Sequence, residues 1–194
     1  MGKYPKTLGR IEAVWNKLGG EEGVDKFLAG ETVVGKPGQV AALTKAKTVT
    51  GSIIRVDRSI RPAYPEWVDK IMHPELEKTG PKRFDLAKID LWLHDGQKSG
   101  TVRGQVIYDY LTSNDMLESC LGLADLLAIQ KLGIEVFRKH FEGKAVFGWK
   151  SVVRSRLGSL HVPCLVEGGG QVLLSRNWLC NGWSDDNPAL RFAS

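Results

Sequence analysis

Cysteine is scarce, with three in 194 residues, which is too few for a disulfide-stapled scaffold. The 22 glycines and 8 prolines follow no strict period, so collagen-like and low-complexity architectures are excluded. Long apolar runs are also missing. The most apolar stretch, Cys120 to Ile129, is interrupted by Asp125 and is half the length of a membrane span. The first residues show no apolar run ahead of a small-residue cleavage site, so no secretory signal is read. Lys6 stands where a myristoylation pattern needs Ser or Thr. The expectation is a cytoplasmic protein with reduced thiols and no membrane association.

What is present describes a folded globule. Hydrophobic residues make up 42% and charged residues 25%, of both signs, which is incompatible with an intrinsically disordered chain. A chain of this length buries about 70% of its unfolded surface and needs neither metal nor cofactor to hold a core. The formal charge of +5 is uneven. Residues 1–60 hold ten Lys/Arg against six Asp/Glu, whereas residues 61–150 balance at thirteen each. Lys45, Lys47, Arg55, Arg58 and Arg61 therefore form a basic stripe with the charge to meet phosphates.

The chain is read as an N-terminal basic part, residues 1–63, and a globular α+β part, residues 64–194, with a single domain over the whole chain as the alternative. Ile11, Val14, Trp15 and Leu18, then Val24, Phe27 and Leu28, predict two short helices broken at Gly19-Gly20. Two β-rich pieces follow, Thr32–Val34 and Thr48–Asp57. Glu66 to Met72 predicts a short helix with Trp67, Val68 and Ile71 inward, ending before Pro74. Lys88–Leu93 alternates and predicts a strand. Helices follow around Val106, Ile107, Tyr110 and Leu111, over Met116 to Leu121, from Leu123 to Leu132, and from Ile134 to Gly143. Ala145–Arg154, Leu160–Glu167 and Gln171–Leu179 are strand-length runs separated by turn-length gaps. The predicted fold is α+β: a C-terminal antiparallel three-stranded meander packed against central helices, with an irregular helix/strand N-terminal third.

Several motifs invite a function. Gly30 to Lys36 matches a phosphate loop until Pro37, which supplies neither the hydroxyl for Mg²⁺ nor a backbone N–H. Gly169-Gly170-Gln171 resembles the tripeptide of peptide-chain release factors, but the glycines suit a hairpin between two strands. Phe147-Gly148-Trp149 echoes the base-stacking strand of RNA-recognition and cold-shock domains; the shared face with Ala145 and Val153 reads as core, with a stacking platform extended by Trp178 and Trp183 as the alternative. His94 and Asp95 end a strand as a polar turn. His161 and Cys164, three apart on a strand, point to opposite faces and cannot share a metal. These four residues are the first candidates for acid, base or nucleophile if the chain is a hydrolase or transferase with dispersed catalytic residues.

The strings RVDRSIRPAYPEWVDKIMHPELEKTGP, IDLWLHDGQ, GKAVFGWKSVVR and NPALRFAS resemble a group of small hypothetical proteins from environmental bacteria. The resemblance implies a bacterial origin and carries no activity and no site residues. The primary expectation is a non-catalytic binding or assembly protein whose partner is a protein, a second copy or another chain. A weak nucleic-acid binder using the basic stripe is the alternative.

Overall fold

The computed structural model describes residues 53–193 in full, together with the two short strands Thr32–Val34 and Val40–Ala42. The chain divides into two compact units, Met1–Thr50 and Gly51–Ser194. In the first, β1 (Thr32–Val34) pairs antiparallel with β2 (Val40–Ala42), Val33 opposite Ala41. The helices expected over residues 9–29, and Lys45 and Lys47, lie outside the described residues.

The larger unit is organised by one hairpin. β10 (Leu160–Gly168) and β11 (Gln171–Trp178) pair from His161↔Trp178 to Gly168↔Gln171. Gly169 and Gly170 form the two-residue turn with φ of 58° and 73°, left-handed at both positions as a tight hairpin with the natural strand twist requires. The other edge of β10 pairs with β9 (Val153–Ser155) near one end and with β8 (Val146–Phe147) further along. Beyond β9 lies β4 (Val68–Ile71), antiparallel. Beyond β8 lie β13 (Ala189–Phe192), parallel to it, and then β6 (Ile89–Trp92), antiparallel to β13. Two smaller pairs complete the strands: β3 (Ile53–Arg55) with β5 (Arg83–Asp85), and β7 (Val102–Arg103) with β12 (Gly182–Trp183).

Alternation along β10 and β11 assigns the two sheet faces. His161, Pro163 and Leu165 share one face with Trp178, Arg176, Leu174 and Val172. Over its far end pack α3 (Leu123–Gln130) and α4 (Ile134–Phe141), burying Leu126, Ile129 and Phe137 with Leu165 and Val172. The opposite face carries Val162 and Cys164, in the cluster formed by Ile107 and Leu111 of α2 (Gly104–Ser113) with Trp149 and Trp183. A mostly antiparallel sheet with C-terminal strands and packed helices makes this an α+β fold.

Five expectations are corrected. Glu66–Met72 is not a helix. β9 offers Val68–Ile71 an open edge, and pairing with it, through a bulge between Val68 and Lys70, overrides the local helical spacing. Ala145–Arg154 is not one strand. Leu126 packs onto Gly148, where an added Cβ would lie 2.9 Å from the leucine, and the chain breaks there into a 3-10 turn, Trp149–Ser151. In α2 the buried stripe is Ile107, Tyr108 and Leu111, while Val106 and Tyr110 face outward. Residues 53–63 belong to the larger unit, because Ile54, Val56 and Arg58 sit in its interior. Met116–Leu121 yields only the 3-10 turn Leu117–Ser119, after Asp115 turns left-handed at φ 54°.

Candidate functional site

The four candidate catalytic residues are spread over three places. His94 caps the short helix α1 (Asp95–Lys98): its Nδ1 accepts from the Gly96 N–H at 3.1 Å, and its own N–H donates to Gln97 Oε1 at 3.0 Å. Asp95 is exposed and paired with Lys98. Cys164 is buried among apolar side chains, which pushes its thiol up to about 12. His161 lies on the other face of the same strand. No acid, base and nucleophile converge among these four. Among the described residues no group of three or more His, Cys, Asp or Glu is placed to hold a metal, and no helix is long and apolar enough to cross a membrane.

The basic stripe is also rearranged. Arg55 and Arg61 are exposed, but Arg58 is 6% exposed and its guanidinium donates to Asp125 and to the Pro81 carbonyl. Arg58 is therefore an interior ion-pair partner and offers nothing to a phosphate. Phe147 and Trp149 are buried core residues, which leaves no stacking platform on that strand.

A concave surface forms elsewhere, on the His161 face of the sheet. Ala63, Tyr64, Pro65 and Trp67, on the segment that runs into β4, line a recess with Val153 of β9 and Pro163 of β10. The Trp67 ring reaches His161 edge-on at 5.1 Å between centroids, and its carbonyl accepts from the Arg156 N–H at 3.2 Å. The Arg176 guanidinium of β11 lies over the same indole, 4.0 Å from the ring centroid. This pair divides a trough. On one side is an apolar recess of about 350 Å³ lined by Tyr64, Val153, Pro163 and Leu174. On the other is a more polar recess of about 530 Å³ lined by Glu66, Arg156, Leu157, His161 and Trp178. Trp67 and Arg176 border both.

The electrostatics of the trough are cationic and aromatic. Neither Arg156 nor Arg176 has a carboxylate within ion-pair distance among the described residues, whereas Arg154 and Arg138 are paired with Asp69 and Glu167. His161 is 3% exposed between Trp67 and Trp178, and its Nδ1 has no hydrogen-bond partner among the described residues. Burial, and after it the Arg176 charge, lowers its pKa, so the ring is neutral at pH 7. Trp178 is 42% exposed and flanks the polar recess.

A buried polar network braces the wall. Tyr64 donates its hydroxyl to Glu77 Oε1 at 2.7 Å, and Ser151 donates to the same oxygen at 2.8 Å while accepting from the Leu123 N–H at 2.7 Å. Burial pushes the Glu77 carboxyl above its ordinary value and the Tyr64 phenol above its own. Lys150 is buried beside Gly80, with Nζ 3.5 Å from the Thr79 carbonyl and 5.5 Å from the Phe192 ring centroid; burial lowers its pKa. These contacts tie residues 64, 77 and 151 together, and so fix Tyr64 as a wall of the apolar recess.

Sequence reasoning picked out His161 and, for a different surface, Trp178, but did not join them with Trp67, Arg156 and Arg176. The available signal was weak: Arg176 and Trp178, two apart on a strand, necessarily share a face. Compared with protein-family models, with curated proteins and with solved structures, the chain matches none.

Proposed function

We propose that this chain is a non-catalytic binding protein and that the trough receives a partner protein. The observation that carries this reading is Arg176, stacked on Trp67 at the junction of an apolar and a polar recess, with no carboxylate partner among the described residues. An arginine held over an aromatic ring is partly pre-organised, so less rotamer entropy remains to be lost when a partner docks. Arginine and tryptophan are also the residues most often responsible for binding energy at protein interfaces. The dispersal of His94, Asp95, His161 and Cys164 further supports binding over hydrolysis or transfer.

The test is selection of a random-peptide display library on the pure protein, followed by affinity measurement on variants. Enriched peptides are expected to lose about tenfold or more in affinity with Arg176→Ala and with Trp178→Ala, at unchanged melting temperature; tenfold corresponds to about 1.4 kcal/mol. Absence of enrichment, or enriched peptides indifferent to both substitutions, overturns the reading. Retention on mixed oligonucleotides that fades steeply with salt favours the nucleic-acid alternative instead.

A further inference from the structure

The outer edge of β11 is an unpaired strand, and the residues that present it are the ones that line the trough. β11 pairs with β10 on one side only among the described residues. In an antiparallel pair, alternate residues turn both backbone groups toward the neighbour or away from it. The Val172 carbonyl accepts from Gln130 Nε2 at 2.9 Å, and the Trp178 carbonyl accepts from Trp183 Nε1 at 3.2 Å, so these two residues direct their groups away from β10. The period of two then assigns Leu174 and Arg176, between them, the same outward direction. The ends of the edge are thus closed by the protein's own side chains: Gln130 at one end, Trp183 and Asn177 Oδ1 at the other. The N–H and C=O of Leu174 and Arg176 have no partner among the described residues.

Natural sheet edges are usually guarded by lysine, proline or a bulge. This one instead exposes Leu173 (43%) and Leu174 (39%), and the Leu174 and Arg176 side chains border the apolar recess. We infer that the partner, on the reading proposed above, contributes an extended segment that adds as a strand to β11 at Leu174 and Arg176, with an apolar side chain against the recess and a carboxylate two residues away on Arg176. Spacing of two follows from the pleat: side chains i and i+2 of an added strand face the trough together. The carboxylate is assigned by charge complementarity, since Arg156 and Arg176 are the unpaired cations of the trough and Glu66 is its one acidic side chain among the described residues.

Leu174 stands opposite Leu165 in a position whose N–H faces away from β10, so proline there removes the outward donor without breaking the hairpin ladder. The probe is the peptide acetyl-Thr-Leu-Thr-Glu-Thr-Val-Thr-amide, titrated while backbone amides are followed by NMR, with its Glu→Gln counterpart as control. The expected result is slowed hydrogen exchange at the Leu174 and Arg176 N–H groups, at least fivefold weaker binding of the Gln peptide, and a further loss of tenfold or more from Leu174→Ala to Leu174→Pro. If display-selected peptides depend on Arg176 and Trp178 but bind Leu174→Pro as tightly as Leu174→Ala, strand addition is overturned while the trough remains a binding site. If no peptide binds and an oligothymidine shifts the trough resonances, both fall. A dimer by light scattering that Leu174→Pro dissolves assigns the edge to a second copy and overturns the separate partner.

Discussion

The Arg58 guanidinium and the Asp125 carboxylate meet inside the protein, 67 residues apart in sequence, with side chains 5% and 0% exposed. The other Asp125 oxygen accepts from the Gly122 N–H at 2.9 Å, so the same carboxylate closes the start of α3. One ion pair thereby joins residue 58 to the helix that covers the trough face of the sheet.

Removing one partner of such a pair strands the other charge in a medium that cannot solvate it. Arg58→Met is expected to cost about 3–5 kcal/mol of stability, read from the urea midpoint. Adding Asp125→Asn to that variant is expected to recover part of the loss, because the uncompensated charge goes. A single-variant loss within about 1 kcal/mol, the range of exposed pairs, would show that the pair is not buried in solution.

Glu77 makes stability depend on pH in a direction opposite to most carboxylates. Burial is the largest cause of its raised pKa, opposed by hydrogen bonds from Tyr64 and Ser151. The unfolded chain releases this proton near 4.5, and the folded protein holds it to higher pH. Stability from this group is therefore unaffected below 4.5 and is lost as pH rises through the folded pKa. Glu77→Gln keeps the Oε1 acceptor and abolishes the titration. Its stability relative to the parent should rise as pH increases above 4.5; a flat or falling difference in denaturation free energy would contradict the assignment.

Thiol chemistry should distinguish the three cysteines. Burial pushes the Cys120 and Cys164 thiols to about 12, and Cys180 alone is exposed. Iodoacetamide at pH 8 is expected to label Cys180 in the native protein and all three in urea, as counted by mass spectrometry. Rapid native labelling of Cys164 would reopen it as a nucleophile.

Gly104, the first residue of α2, packs against Trp183. A Cβ there would overlap the indole nitrogen and sit 3.1 Å from the Leu179 Cα. Gly104→Ala must displace a fully buried tryptophan whose N–H holds the Trp178 carbonyl. A loss of about 1–3 kcal/mol is expected, together with a changed near-ultraviolet circular dichroism signal. Substitution without either effect would mean this packing is looser than described.

Much of the fold is legible locally. The Gly168-Gly169-Gly170 run between two β-rich segments specifies a tight hairpin, and the helical stripes from Leu123 to Phe141 are interrupted at Gly133, whose φ of 84° ends one helix before the next begins. The α+β class and the alternating strand at Ile89–Trp92 follow from the same kind of signal. The trough was not legible, because Trp67 and Arg176 lie far apart in sequence and nothing in either neighbourhood refers to the other.

The sparse cysteine, the mixed charge, the 3.6-residue stripes and the turn glycines belong to single segments, and the amino-acid sequence alone determines them. Whether Val68–Ile71 becomes helix or strand was decided by the open edge of β9. Whether Arg58 serves as surface charge or core ion pair was decided by Asp125, and which strand keeps an edge unpaired among the described residues by the order of the sheet. Each of these is a property of two distant segments brought together. Burial and pairing energies exist only between such segments, so only the tertiary structure could assign them.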